Sequence, residues 1–471
     1  MINPFISDIE VLLNFIDSFA VEKDCHLILE NEIFSAKCTV DNNGFLVIKF
    51  QPESFIHEDV LFNKDILLDI SGTKIKVPST NIVSVQSRFH NGSISVLLNI
   101  NGFNSEGQGD NNSSKNAISI IRDNSFSFHQ IGVLDSCSCQ YNNSGGLINN
   151  CFELEIEGSI MNFGLIKNQR GQGFLVLTSQ LPISNRKFLD VFECIRIAIG
   201  LLSGRYFAEN TWFFSLLNDV NHFSFSYENV QKSLNNCHPI IDCERYTNCP
   251  ENEHKLTSNH FNNLVNLLYQ NEEVKRASHI LIQASAVNGI SKGCLAAIAL
   301  ETIKSKIINK ENANDSHFVD DCLQGVINEL KSTLKKSKKQ LGDKLYNKIS
   351  DHISRINTHS NAEELKLPFE ILGIVLTNEE LHCIKCRNDF LHGGRVNYPK
   401  EEFYKNIDYT DLENIIANKL IMLTSMLVLK KCGYNGKVID WGYTEFIKSR
   451  FVYTKQYKSK YGVCFRNIGG D

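Results

Sequence analysis

The chain has 471 residues, 42% of them hydrophobic and 21% charged, which excludes a disordered or fibrous polymer and points to two or three domains. Its net charge of −5 excludes a surface coated throughout by nucleic acid and leaves local basic patches open. Met1 to Ala20 carry Asp8, Glu10 and Asp17 without lysine or arginine, the wrong charge for a signal peptide. The longest late apolar run, Leu420–Leu429, is about half a membrane span. A cytoplasmic protein with no membrane partner is therefore expected, and its fifteen irregularly spaced cysteines read as reduced thiols.

In chain order, an amphipathic helix opens with Ile9, Leu12, Leu13 and Ile16 on one face. From Cys25 the period shortens. His26–Leu29, Ile33–Val40 and Gly44–Phe50 are rich in β-branched and aromatic residues, and Asp41-Asn42-Asn43-Gly44 is a hairpin signal. The pattern recurs at Ile82–Val85 and Ser93–Ile100, joined by His90-Asn91-Gly92, and again at Phe152–Ile156 and Phe174–Leu177. Asn104–Asn116 holds no large apolar residue and reads as a loop. Many short strands at this spacing predict an antiparallel sandwich or a partly closed barrel over residues 1–184.

Around Asn185 the pattern turns helical, with Phe188, Leu189, Phe192, Ile195, Ile199 and Leu202 in a stripe and Gly204 as C-cap. Residues 185–271 read as a helical and irregular connecting region, irregular from Asn210 to Glu253. Further helices are predicted at Ser258–Gln270, Glu272–Val287, Lys292–Ile308, Phe318–Lys335, Gly342–Asn357, Thr377–His392 and Tyr409–Lys431. Residues 272–434 thus form a helical bundle, and 435–471 a basic aromatic tail. The fold class is α+β multidomain, β first and α second.

The chemistry concentrates in Arg387-Asn388-Asp389-Phe390-Leu391-His392, followed by Gly393-Gly394. Thr377 and Glu380 fit a capping box that starts this helix. Leu381, Ile384, Asn388 and Leu391 fall along one line, which places the Asn388 amide on the packing face. Arg387 and His392, five positions apart, diverge by about 140° on an ideal helix. That offset favours a site completed by a second subunit. A histidine suits general acid–base work on a ribose 2′-OH and a leaving 5′-oxygen. An arginine suits bidentate capture of the phosphate, and Asn388 would orient the histidine or backbone. Both Arg387→Ala and His392→Ala are expected to abolish RNA cleavage and leave the thermal melt intact.

Arg387-Asn388-(x3)-His392 resembles the R-x4-6-H signature of HEPN-domain ribonucleases, including the polar residue after the arginine. Leu295–Glu301 is similar to the first, apolar-Glu helix of the HEPN bundle, and Leu427–Tyr434 to the closing helix of the ApeA-type subgroup, in which a β-rich domain precedes the bundle. The resemblance covers roughly 272–434. It implies an all-α HEPN-type bundle, metal-independent endoribonuclease activity without a cofactor, homodimerisation, and a role in abortive anti-phage defence. Catalysis would fall to Arg387, His392 and Asn388, with Asp389 and Glu301 in support. The partners implied are RNA (tRNA among the candidates) and a phage-derived trigger sensed by the β domain. The same bundle also serves as a catalytically silent interaction module in a regulatory protein, which is the alternative reading.

Other candidates are less specific. Glu301 either pairs with Arg387 across the bundle or is an exposed helix charge. Cys383 and Cys386 read as packing thiols. Cys237, His238, Cys243, Cys249 and His254 form a looser group that could hold zinc, at a spacing unlike a standard finger; Cys137, Cys139 and Cys151 are weaker still. Lys331, Lys335, Lys336, Lys338, Lys339, Lys344 and Lys348 load one helix pair; either they grip RNA phosphates or they are a solvated face. The tail from Lys448 mixes Arg450, Lys455, Lys458, Lys460 and Arg466 with Phe451, Tyr453, Tyr457, Tyr461 and Phe465. That pattern suits base stacking or a closing hairpin.

Overall fold

The computed structural model describes residues 9–30, 32–90, 93–105, 113–121, 137–140, 147–167, 173–206, 210–219, 222–229, 238–241, 256–304, 306–307, 321–354, 361–396, 407–444 and 465–469. An N-terminal antiparallel sheet domain is followed by a helical region, in two compact units, Met1–Gln270 and Asn271–Asp471.

In the first unit, helix α1 (Ile9–Phe19) buries Ile9, Leu12, Leu13, Ile16 and Phe19. Eight strands follow: β1 Lys23–Leu29, β2 Glu32–Val40, β3 Leu46–Phe50, β4 Ile66–Ile70, β5 Thr73–Val77, β6 Ile82–His90, β7 Ser93–Ile100 and β8 Gly102–Ser105. A short helix, α2 (Glu58–Asn63), interrupts them. Then come β9 Ser113–Ile121, β10 Cys137–Gln140, β11 Leu147–Ile156, β12 Ser159–Lys167 and β13 Gly173–Ser184. These thirteen strands and two more described below form one antiparallel ladder. The Asp41–Gly44 turn closes the β2–β3 hairpin, with Gly44 at φ +81. Tyr227 donates its hydroxyl hydrogen to the Gly44 carbonyl. Two tight hairpins are signalled more faintly, by Ser71-Gly72 and Glu157-Gly158, whose positive φ values turn β4 into β5 and β11 into β12.

The segment read as a loop is narrower than expected. β8 runs into it from one side and β9 from the other, leaving 106–112 outside the described residues. Ser114 and Asn116, polar in sequence, are buried in β9. The expected helix after Asn185 is α3 (Asn185–Ser203), capped by Ser184 and by Gly204 at φ 71. The chain does not stay helical. Thr211–Asp219 (β14) and His222–Glu228 (β15) return to the sheet. β13 and β14 both flank β9 in antiparallel pairing, so they run in the same direction on either side of it and α3 carries the chain from one to the other. Asn185 fastens its start, accepting from Ser114 Oγ at 2.6 Å and donating to Ser226 Oγ at 3.0 Å.

The core of the unit lies between α1 and the sheet. Phe15 meets Phe225 at 4.8 Å, Phe19 meets Trp212 at 5.1 Å and Phe103 meets Tyr227 at 4.9 Å. A second aromatic group, Phe152, Phe163 and Phe261, brings helix α4 (Ser258–Gln270) onto β11 and β12.

The second unit opens with α5 (Glu272–Ser285) and α6 (Gly289–Ile303), and then α7 (Asp321–Lys336) and α8 (Lys338–Ser354). α9 (Asn361–Ile371), α10 (Asn378–Leu391) and α11 (Tyr409–Lys431) follow, and β16 (Lys437–Ile439) pairs antiparallel with β17 (Phe465–Asn467). α6 and α11 are the centre, packed on each other and on α5 and α10. α9 lacks a sequence signal because Pro368 lies inside it. α11 is long and apolar enough to cross a membrane, yet almost all of its apolar stretch is buried within the unit. That burial accounts for its composition as a core helix.

Candidate functional site

The candidate site is built on α10. Thr377 accepts from the Glu380 amide at 3.2 Å, and Glu380 Oε2 accepts from the Thr377 amide at 2.8 Å, which completes the capping box. At the other end the Gly394 amide donates to Asp389 O at 2.7 Å and the Gly393 amide to Phe390 O at 3.3 Å. This is a Schellman closure. Gly393 takes φ +66, a conformation costly for any residue with a Cβ. The two glycines therefore stop the helix at Leu391 and place His392 at its C-cap.

The buried face of α10 carries Glu380, Cys383, Ile384, Cys386, Arg387 and Phe390. Asn388 is exposed and Leu391 is 39% exposed, so the expected apolar line is not the packing face. The reason is that Arg387, not Asn388, occupies the inward position one turn after Ile384. Its side chain is only 1% exposed, and its Nε donates to Glu301 Oε1 of α6 at 2.7 Å. Its Nη2 is buried without a hydrogen-bond partner among the described residues. Glu301, 24% exposed, also holds Lys304 at 2.9 Å, and Lys304 reaches Glu364 of α9 at 3.1 Å. Burial pushes the Glu301 carboxyl up, but hydrogen bonds from Lys304 and Arg387 outweigh it and hold the group below the usual glutamate range.

A close approach fixes the end of the same helix. A Cβ on Gly293 of α6 would lie 2.2 Å from the Phe390 ring, so the absence of a side chain there lets the ring seat on the α6 backbone. The neighbouring Cys294 thiol donates to Phe390 O at 3.0 Å. His392 and Asn388 stand in solvent beyond this contact, and Asp389 is half-buried. Within one chain, then, Arg387 points into the bundle and His392 out of it, as the helical offset of about 140° dictates. The side chains at positions 387 and 392 do not share a surface.

The tail contributes to this helix in a way its composition did not suggest. Arg466 of β17 donates from Nε to Glu380 Oε1 at 2.8 Å, from Nη2 to Val375 O at 2.6 Å and from Nη1 to Asn467 O at 2.8 Å. This basic residue braces the start of α10, and its strand pairs antiparallel with β16. Beside it Lys419 of α11, 5% exposed, meets Asp440 at 2.6 Å and Glu379 at 3.6 Å. Burial pushes the lysine down, while Asp440 and Glu379 hold it above its ordinary range. Deeper in α11, Asn418 accepts from the buried Lys292 Nζ at 3.2 Å. Lys448 to Tyr461 of the tail lie outside the described residues.

Lys335, Lys336, Lys338 and Lys339 sit around the α7–α8 turn and are exposed, with Lys331, Lys344 and Lys348. The hairpin rests on a small core of Ile327, Leu334 and Ile353. Lys338 pairs with Asp343 at 3.3 Å and lies over the Tyr346 ring at 5.0 Å. Cys383 and Cys386 are buried, with burial pushing the first thiol far up and the second up to about 12. Both are packing thiols. Cys237, Cys243, Cys249 and His254 lie outside the described residues, as do the side chains of Cys137 and Cys139; Cys151 is in the sheet core. Among the described residues no group of three or more His, Cys, Asp or Glu could hold a metal ion.

None of the protein-family models, curated proteins or solved structures compared with this chain matches it.

Proposed function

We propose that the protein is a metal-independent endoribonuclease of the HEPN type, cytoplasmic and homodimeric, in which Arg387 and His392 of two copies complete each other's sites. One observation carries the reading. A single helix, capped at both ends, presents a histidine to solvent and, five positions earlier, an arginine locked onto Glu301. His392 would take the proton from the ribose 2′-OH as its oxygen attacks phosphorus, or deliver one to the 5′-oxygen as the P–O5′ bond breaks. Arg387, once released from Glu301, would stabilise the charge growing on the phosphoryl oxygens. Glu301 directs the guanidinium, Asp389 shapes the helix end, and the solvent-facing Asn388 would orient the histidine or the RNA. The lysines at the α7–α8 turn would hold flanking phosphates.

In this reading α5, α6, α10 and α11 are the HEPN bundle, and the sheet unit is a sandwich- or barrel-like sensor that releases the nuclease on a phage-derived trigger. The substrate is cellular RNA, tRNA among the candidates, and the outcome is abortive infection. The burial of Arg387 favours a second reading, a catalytically silent interaction module, because a guanidinium 1% exposed must first leave Glu301 to meet phosphate. Cleavage of labelled RNA by the full chain in excess chelator separates the two. Activity that is lost in His392→Ala supports the nuclease; RNA left intact under all conditions, with an unaltered fold, supports the silent module.

A further inference from the structure

The sheet unit carries a second feature, independent of α10. β6, β7, β3, β2 and β1 lie side by side in that order. Their registers set Asp24 opposite Lys37, Lys37 opposite Lys49, Lys49 opposite Leu97 and Leu97 opposite Gln86. Alternation puts Ala36, Phe50 and Val96 on the reverse face, where they are buried in the core. The obverse is a concavity of about 690 Å³ open to solvent, with Lys37, Lys49 and Arg88 as its cations, Asp24 as a carboxylate at its β1 side, and Gln51 and Gln86 among its neutral groups.

The chain itself shows what this surface accepts. Glu22, just ahead of β1, sets Oε1 2.9 Å from Lys37 and Oε2 3.6 Å from Lys49. Two lysines on adjacent strands thus clamp one carboxylate, and hydrogen bonding to Lys37 holds that carboxyl below its ordinary range. At the far side Arg88 has no ion-pair partner among the described residues. Glutamine amides donate and accept at once, as the groups of a peptide backbone require. Five strands span roughly 19 Å, the length of about six extended residues. The groove covers only one side of an occupant, unlike the closed pockets that hold small molecules. Single-stranded nucleic acid takes aromatic platforms for its bases, and the lining's one aromatic side chain, Phe50, faces the core.

We propose that this face binds an acidic peptide segment laid across the five strands, one carboxylate on Arg88 and another displacing Glu22 from the Lys37–Lys49 clamp. The full chain is titrated, by fluorescence anisotropy, with a labelled octapeptide of Asp and Glu and with a Gly-Ser control. Saturable binding of the acidic peptide is expected, weakened about tenfold or more by Arg88→Ala and by Lys49→Ala. Glu22→Gln is expected to tighten binding, since it removes the internal competitor. Lys74→Ala, an exposed lysine of β5 outside the groove, should change nothing, and the thermal melts should coincide. The proposal is overturned if the acidic peptide binds no better than Gly-Ser, or if Lys74→Ala weakens it as much as Arg88→Ala. It is equally overturned if Glu22→Gln weakens binding, or if a DNA or RNA oligonucleotide occupies the groove at lower concentration than the peptide.

Discussion

Two helical regions of the second unit treat charge in opposite ways. Around α6, α10 and α11, Lys292, Glu380, Arg387, Glu413, Asn418 and Lys419 are buried, and oppositely charged partners hold Glu380, Arg387 and Lys419 within 2.6–2.8 Å. In the α7–α8 hairpin the lysines stand in water. Charge in the first region specifies how helices meet, because a buried ion without its partner is costly. Charge in the second leaves the hairpin's packing to its few apolar residues and is available to a ligand. Exposed chemistry and buried structure should therefore separate cleanly under mutation, and His392 offers the largest test. His392→Ala is expected to lower RNA cleavage by about 10²–10⁴-fold with an unchanged melting temperature, read by gel assay and calorimetry. A matching fall in stability would put His392 with the buried group and end the distinction at α10.

The buried side of the comparison is probed best at Lys419. Lys419→Ala leaves Asp440 nearly buried opposite a cavity, with Glu379 facing the same gap. A loss of about 3–5 kcal/mol in denaturant unfolding is expected, against less than about 0.5 kcal/mol for Lys336→Ala on the hairpin surface. Similar values for the two would mean that burial of charge does not organise the bundle. At Gly293, alanine drives a Cβ into the Phe390 ring, and overpacking of this kind costs about 1–3 kcal/mol. The same measurement reads it, and a neutral result would show that the α6–α10 contact yields freely.

Arg387→Ala belongs to the buried set as well, so the expectation of an intact melt gives way. Glu301 keeps Lys304 and is part-exposed, which limits the loss to about 1–3 kcal/mol. The pH dependence has a definite sign. The folded carboxyl titrates below its unfolded counterpart, so its contribution is complete above the ordinary glutamate range and disappears as pH falls through the lowered value. The stability gap between wild type and Arg387→Ala should narrow in acid, by denaturant curves at neutral and acidic pH. A gap that widens there contradicts the pairing.

Legibility in the sequence followed the length scale of each signal. α4 and α11 run over the residues that periodicity marks, and both ends of α10 were set by local chemistry: Thr377 and Glu380 at one, Gly393 at the other. The return of β14 and β15 to the sheet was hidden, because pairing with β8 and β9 is a long-range choice that no window of residues contains. Ser114 and Asn116 looked like loop residues since their burial depends on Asn185 and a neighbouring strand. At the site, the pairing of Arg387 with Glu301 was one of two open readings. The inward turn of Arg387 and the outward turn of Asn388 were missed, because the apolar count favoured the line through Leu391. The brace from Arg466 to Glu380 spans 86 positions; composition alone placed that arginine with a nucleic-acid tail. Gly293 was detectable in principle as a glycine inside an apolar helix, a usual mark of close packing.

The smallest effect on stability, and the most informative about the exposed side, is expected at the α7–α8 turn. Replacing Lys335, Lys336, Lys338 and Lys339 by alanine removes no buried group. Among the described residues only Lys338 of the four has ion-pair and ring contacts, with Asp343 and Tyr346, and its exposure screens them. The melt should shift by no more than a surface set allows, on the order of 1 kcal/mol. If these lysines meet phosphates, RNA affinity should fall and its dependence on salt should flatten by roughly one in slope for each phosphate no longer neutralised. An unchanged slope would leave the hairpin a solvated face and return the RNA path to other surfaces. A slope that flattens while cleavage by His392 persists at saturating RNA would show binding and chemistry divided between the two regions, one exposed by composition and the other positioned by buried charge.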